Sequence, residues 1–266
     1  MHQTLLTVAI IGYVAATGLA LAYLVQREEV LHRLASLATL AAWVLHTIAL
    51  LALAIDLGRP PLASMPEAVS VAAWVVVLLE MWIERRYGLS VLGAFVLPVA
   101  LVLSLQSTPT RPLIGPTLSG AWLWVHIGLA LVGIAALVLN FAGAVMYLLQ
   151  EHQLRAKRLG TLYYTLPALA TLDRLTYRTL AFGFPFLTTG LILGVLWAGT
   201  AWGSVFTFDP LALSSYVAWA VYAATLAGRA AGGFHGRRAA YFAILGFAVL
   251  ALTLGAGLFL PGKHGG

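Results

Sequence analysis

The chain contains no cysteine among its 266 residues. This absence excludes disulfides, thiolate metal sites, thiol redox chemistry and the covalent attachment of a haem to this chain through cysteine. Charged residues are also scarce: they make up 9% of the sequence, against about 25% in soluble domains. Hydrophobic residues make up 61%. Because no soluble fold of this length can bury so much apolar surface, the sequence predicts a polytopic protein embedded in the lipid bilayer.

Sequence motifs of several common activities are missing as well. The chain has no phosphate-binding loop, zinc-binding helix motif or nucleophile elbow. We find no internal repeat of about 20–50 residues and no linker that would separate two soluble domains. The first apolar run has no basic segment before it and is long enough to span a membrane, so we expect no cleavable signal peptide. We therefore expect one transmembrane domain over residues 1–266.

Long hydrophobic runs dominate what is present. Eight of them approach or exceed the length of a membrane span, which is about 20 residues; the third and the seventh are short. We predict an all-α fold, an integral membrane helical bundle of about eight transmembrane helices. The predicted spans cover residues 4–26, 34–57, 68–83, 89–106, 121–150, 175–198, 211–226 and 239–260.

The basic residues fall mainly in one set of loops. Twelve lie on one side of the predicted bundle, and only Arg59, Arg111 and Lys263 lie on the other. By the positive-inside rule, both termini then lie outside. The same distribution explains the net charge of +6 as membrane topology, so we expect no nucleic acid partner. We expect a multi-pass protein of the cell membrane, either the inner or the plasma membrane.

An aromatic segment follows the sixth span on the predicted outer side. Residues 194–210 read GVLWAGTAWGSVFTFDP, with small residues between large aromatic ones. Such faces can form a flat platform for a planar ligand, and an interfacial aromatic belt is the alternative. The acidic residue before the final proline can cap the next helix. The aromatic and acidic members of the segment are Trp197, Trp202, Phe206, Phe208 and Asp209.

Two histidines reach the same predicted face. His126 lies near the outer end of the fifth span, and His264 lies just past the outer end of the eighth. Two neutral imidazoles beside an aromatic platform are the donor set for axial ligation of a haem iron. The alternatives are a hydrogen-bonded interfacial histidine at position 126 and an unligated tail residue at position 264. Because both histidines share a side with the platform, we favour ligation.

A third histidine, His46, lies near the middle of the second span. An ionisable side chain at this depth is costly and marks a candidate functional site. It is either a neutral histidine hydrogen-bonded to a neighbouring helix or a ligand of a second haem within the bundle. Both interpretations stay open from the sequence.

These residues resemble the CcsA family of cytochrome c assembly proteins, also called ResC, and its HemX-like relatives. That family carries a "WWD" segment of the form G-x-x-W-A-x-x-x-W-G-x-x-W-x-W-D-P. Here Phe206 and Phe208 replace two of the tryptophans, which keeps the stacking faces and loses two indole N–H donors. The stretches PPLASMPEA (60–68), LPALATLD (166–173) and GRRAAYFAILGF (236–247) are similar too, so the resemblance covers most of the chain.

The resemblance implies haem handling on the outer face. It implies that His126 and His264 are axial ligands of a haem b presented for attachment to apocytochrome c, with a CcsB/ResB-like membrane protein as partner. The chain would then be a component of a cytochrome c synthase. The family commonly holds a further b-type haem between two membrane histidines. His46 matches the first of these, and Ala227 stands where the family often has the second.

Two other functions stay open. A HemX-like accessory or regulator would bind haem without making thioether bonds, and the replaced tryptophans and Ala227 favour it. A small-molecule transporter without haem is the other alternative. Transporters usually carry broken helices and polar residues near the midplane, and the spans here read as almost free of such residues apart from His46.

Overall fold

Helices are the one regular structure that a single apolar segment can form in a membrane while satisfying its own backbone hydrogen bonds. The computed structural model describes residues 1–106, 121–157, 160–202 and 210–259, with 121–123, 200–202, 210 and 256–259 described in backbone only. These residues form nine helices and no strand. The helices are α1 (His2–Gln26), α2 (Glu29–Leu57), α3 (Met65–Tyr87), α4 (Gly93–Gln106), α5 (Ala121–Arg155), α6 (Thr161–Thr165), α7 (Leu169–Trp202), α8 (Pro210–Ala230) and α9 (Arg237–Phe259).

The predicted all-α membrane bundle is confirmed. Seven helices in the described ranges are long and apolar enough to cross a membrane. The fourth predicted span corresponds to α4, an apolar helix of 14 residues that ends where the described range 1–106 ends. The count of eight spans is therefore approximate. The third and seventh spans are longer than predicted, since α3 has 23 residues and α8 has 21.

Local sequence signals set the ends of these helices. Gly58 and Gly88 end α2 and α3 with φ angles of 62° and 65°, a left-handed conformation that favours glycine. At the start of α3, the backbone N–H of Glu67 donates to the side-chain oxygen of Ser64 over 3.3 Å. Pro66 occupies the first turn of the same helix, where its missing N–H costs nothing.

The helices alternate in direction, so the bundle has two distinct ends. At one end, which we call the basic end, the start of α7 meets the end of α8 and the start of α9. There the guanidinium of Arg229 donates to the carboxylate of Asp173 over 3.0 Å. The other carboxylate oxygen of Asp173 accepts from the N–H of Gly236 over 3.1 Å. One carboxylate thus holds three helix ends together.

The opposite end, which we call the cavity end, is formed by the starts of α3, α5 and α8 and the ends of α7 and α9. It contains His126 and the described part of the predicted aromatic segment. The unequal distribution of basic residues predicts that this end reaches the outer face of the membrane.

Glycines bring α5 and α7 into close contact. A Cβ atom added at Gly133 would lie 2.8 Å from the backbone nitrogen of Leu187, and one added at Gly183 would lie 2.8 Å from Cβ of Ala136. Small residues let two membrane helices approach to backbone contact, which adds dispersion attraction along their length. Midway along this contact, the amide of Asn140 donates to the carbonyl oxygen of Thr176 over 2.7 Å.

We predict that Gly133→Ala destabilises the bundle and that Gly128→Ala on the same helix does not. The first substitution forces the backbones of α5 and α7 apart, whereas no described residue lies within 4 Å of a Cβ atom at Gly128. Overpacking of this kind costs about 1–3 kcal/mol. Thermal unfolding in detergent, followed by fluorescence, should show a lower midpoint for Gly133→Ala alone. Equal midpoints for the two variants would contradict the importance of this contact.

Candidate functional site

His126 is held in one orientation by the neighbouring helix. It lies in the second turn of α5, and its Nδ1 atom is 2.6 Å from the carbonyl oxygen of Gly190 on α7. Since a carbonyl oxygen only accepts hydrogen bonds, Nδ1 carries the proton and donates it. In the neutral ring, the lone pair is then on Nε2. This is the tautomer that metal-binding histidines adopt, with the second ring nitrogen donating to a backbone carbonyl.

A second glycine makes room for the same ring. A Cβ atom at Gly194 would lie 2.6 Å from Cε1 of His126 and 2.9 Å from its Nδ1. The imidazole therefore lies against the backbone of α7. Gly190 and Gly194 are one helical turn apart, and we call this pair the glycine seat. From the sequence, the GLILG motif at residues 190–194 indicates only the close packing of membrane helices; its role at His126 depends on the register of α5 against α7.

An apolar cavity of about 220 Å³ opens beside His126. Its walls come from the loop before α3 and from α3, α5, α7, α8 and α9. Most lining side chains are aliphatic. Trp197, one turn after Gly194 on α7, lines the same cavity. The structure thus brings together one predicted ligand and one predicted platform residue, and we call this space the His126 cavity.

The other predicted site residues cannot be placed beside them. Trp202 is the last residue of α7 and is described in backbone only. Phe206, Phe208, Asp209 and His264 lie outside the described residues. Their roles as platform, platform edge and second axial ligand stay predictions.

A loop held by an ion pair forms one wall of the His126 cavity. The guanidinium of Arg59 donates two hydrogen bonds to the carboxylate of Glu67, over 2.8 and 3.0 Å. The N–H of Ala63 donates to the same carboxylate over 2.9 Å. The hydrogen bond with Glu67 raises the pKa of Arg59 above its ordinary value. Residues 62–64, between these two charges, line the cavity.

His46 joins three helices away from this cavity. The ring is 0% exposed. The hydroxyl of Tyr13 on α1 lies 3.3 Å from Nδ1, and the hydroxyl of Ser70 on α3 lies 3.0 Å from Nε2. Ligation of an iron would require one of these hydrogen bonds to be given up. The assignment of His46 to a second haem stays a prediction.

The spans carry more buried polar groups than the sequence analysis expected. Glu80 on α3 is 1% exposed, and neither of its carboxylate oxygens has a hydrogen-bond partner within the described ranges. Asn140 on α5 is 2% exposed. The expectation that the spans are almost free of polar residues apart from His46 was therefore wrong. The sequence itself indicates this buried carboxylate, because Glu80 falls inside the predicted span 68–83.

The fold and this cavity define a class of protein: a multi-span membrane protein with an oriented imidazole beside an apolar pocket at one end of its bundle. Residues 62–262 match the family model described as "Cytochrome C assembly protein". This stretch includes the loop held by Arg59 and Glu67 from residue 62 onward and the whole His126 cavity. The chain belongs to the cytochrome c assembly protein family.

Curated relatives support the same assignment. The chain is 31% identical over 249 residues to the cytochrome c biogenesis protein CcsA of Guillardia theta, covering 85% of this chain and 83% of that protein. It is 31% identical over 262 residues to CcsA of Synechococcus sp. (strain RCC307), covering 87% and 84%. The protein is thus a membrane protein of cytochrome c biogenesis, and its family implies haem handling.

A solved structure has a similar fold. Cytochrome c Heme Lyase CcmF superposes with a TM-score of 0.66 at 19% sequence identity. The match covers 97% of this chain and 50% of that protein, so the chain spans about half of its length. At this identity the likeness shows the fold alone.

We predict that Glu67→Gln loosens the wall of the His126 cavity. The substitution removes the charge that accepts two hydrogen bonds from Arg59, and hydrogen bonds to charged groups are worth about 1.5–3 kcal/mol. Hydrogen–deuterium exchange of residues 58–67 should become at least about tenfold faster. Asp56→Asn is the matched control, because Asp56 is an exposed carboxylate that pairs with His2 near the same end of the bundle. Unchanged exchange in Glu67→Gln would refute this role for the ion pair.

Proposed function

We propose that this protein binds haem b at its cavity end and presents it at the outer face of the cell membrane for covalent attachment to apocytochrome c. The observation that carries the proposal is the position of His126 in the glycine seat. Its imidazole is held as the Nδ1–H tautomer by the carbonyl oxygen of Gly190, and it borders an apolar cavity that Trp197 also lines.

The described residues fit a porphyrin in three respects. They supply a histidine with the tautomer of an axial ligand. They supply aliphatic walls, which exclude water from an apolar macrocycle. They also supply one indole face for stacking. The cavity of about 220 Å³ is smaller than the range of about 300–1,000 Å³ for typical ligand sites, so these residues would hold part of the haem.

Each of these groups has a definite task in the proposed site. His126 would bind the iron through Nε2, and the Gly190 carbonyl would keep the ring oriented and its donor nitrogen basic. Trp197 would stack on the macrocycle, with Trp202, Phe206 and Phe208 extending the platform and Asp209 at its edge. His264 would be the second axial ligand. When bound, haem supplies the vinyl groups for bonding to cytochrome thiols, and this chain contributes binding and orientation.

The proposal extends to partners and location. Because the chain has no cysteine, both thiols of the linkage must come from the apocytochrome. A CcsB/ResB-like membrane protein would deliver that substrate to the cavity end. The basic residues grouped at the opposite end support an extracytoplasmic position for the haem in an inner or plasma membrane. Residues 1–266 would act as one transmembrane domain.

A HemX-like accessory role is the second candidate. It is favoured by Ala227, at the place of a second membrane histidine, and by the hydroxyl partners on both ring nitrogens of His46. Such a protein would keep the haem site at His126 and make no thioether bonds.

We predict that His126→Ala abolishes most of the Soret absorbance of protein purified from haem-replete cells. His152→Ala is the matched control, because His152 lies at the other end of the same helix and should leave the spectrum unchanged. Gly194→Ala keeps the histidine and displaces its ring, so haem affinity should fall by about 10–100-fold, the usual cost of losing support around a metal ligand. Added imidazole should restore part of the absorbance in His126→Ala.

Two results would overturn haem binding at this site. One is a colourless wild-type preparation, and the other is an unchanged Soret band in His126→Ala. Thermal unfolding of each variant distinguishes lost haem from lost fold.

We predict that deletion of the gene removes covalently haem-bound c-type cytochromes, detected by haem staining of membrane proteins after denaturing electrophoresis. This outcome follows if the protein presents haem for thioether formation. The complemented strain carrying His126→Ala should resemble the deletion strain, and His152→Ala should resemble wild type. Normal cytochromes in the deletion strain would reject the synthase role and leave the accessory role.

A further inference from the structure

A second cavity, of about 330 Å³, lies near the basic end between α3, α5 and α7. Its inner wall is aliphatic and includes Leu139 of α5 and Leu175 of α7. Its rim carries aromatic side chains that are largely exposed, with Trp82 57% and Phe182 50% exposed. In a membrane bundle, exposed apolar side chains on spanning helices face lipid. This cavity therefore opens sideways, toward the bilayer.

Two arginines from one face of α7 also line this cavity. Arg174 and Arg178 are one turn apart, and both are exposed. Neither forms an ion pair with any described residue, and Arg174 donates only to the carbonyl oxygen of Ala170, over 3.3 Å. No acidic residue is among the described residues that line the cavity. Its positive charge is therefore uncompensated within the described part of the protein.

The carboxylates nearest to these two arginines bind other arginines. Arg229 contacts Asp173 over 3.0 Å, and Arg155 contacts Glu151 over 2.8 Å. The carboxylates of Asp173 and Glu151 are thus already engaged, and among the described residues they leave the charge of Arg174 and Arg178 unpaired. We call this space the Arg174–Arg178 cavity.

We infer that the Arg174–Arg178 cavity binds an anionic phospholipid. The phosphate group lies at the two guanidinium groups, which match phosphate oxygens in geometry and charge. An acyl chain lies against the aliphatic wall between Trp82 and Phe182. Basic pockets between membrane helices at the cytoplasmic side are suited to such headgroups, and Trp82 and Tyr87 have the interfacial position typical of aromatic residues.

The combination of surfaces decides between a lipid and a free anion. The arginines alone would attract inorganic phosphate or a soluble phosphate ester equally well. The aliphatic wall and exposed aromatic rim contribute only if the ligand also carries a long apolar chain. This inference stands apart from the proposed haem site, because no residue is shared by the two cavities.

Native mass spectrometry of the purified protein tests the assignment. The probes are phosphatidylglycerol and phosphatidylcholine with identical acyl chains. Wild type should retain phosphatidylglycerol preferentially, and R174Q/R178Q should lower that preference by about 30-fold, which corresponds to about 1 kcal/mol for each arginine. R237Q/R238Q removes two charges from the same end of the bundle outside the cavity, and it should leave the preference unchanged.

Tryptophan fluorescence of the protein with both arginines unchanged gives an independent readout. Phosphatidylglycerol brominated on its acyl chains should quench part of the tryptophan emission, and W82F should lose that part. Four outcomes overturn the inference: equal retention of the two lipids, an equal loss in R237Q/R238Q, displacement of the lipid by glycerol phosphate, or its displacement by haemin. The third would indicate a free-phosphate site and the fourth a haem site.

Discussion

The close approach of α5 and α7 is the constraint on which the candidate site depends. Backbone contact at Gly133 and Gly183 sets the distance and register of the two helices. Only at this separation can the ring of His126 reach the carbonyl oxygen of Gly190. A helical carbonyl oxygen has a second lone pair after its helix hydrogen bond, so it can accept from the imidazole without breaking the helix. The packing of α5 on α7 thus also sets the orientation of the His126 ring.

The two ends of the bundle are stabilised by different forces. At the basic end, the carboxylate of Asp173 connects three helix ends through Arg229 and the N–H of Gly236. At the cavity end, the described contacts are mostly apolar, and the ion pair of Arg59 and Glu67 holds the connecting loop. A dense polar network at the cavity end would leave polar groups unsatisfied whenever the cavity opened, whereas dispersion contacts and one fixed loop would not.

Much of the fold could be predicted because hydropathy alone determines which segments enter a bilayer. The ends of the helices were less predictable: α2 begins at Glu29 rather than at residue 34 because charged residues continue the helix beyond its apolar part. His126 stood out by its position, yet its contact with Gly190 joins residues 64 positions apart and has no local signal. The hydroxyl partners of His46 were hidden for the same reason. Glu80, in contrast, is visible in the sequence as a carboxylate inside the predicted third span.

The acceptor for His126 is a main-chain oxygen, and this determines which substitutions at position 190 the hydrogen bond tolerates. Every amino acid carries the same carbonyl, so no substitution at position 190 can delete the acceptor itself. What substitutions at 190 and 194 alter is volume: a methyl group at 194 would overlap the ring of His126, and one at 190 would crowd the backbone of Ala130. The hydrogen bond that orients His126 is therefore insensitive to side-chain chemistry at position 190 and sensitive to side-chain volume at position 194. At position 194, one added carbon atom is therefore enough to displace the His126 ring.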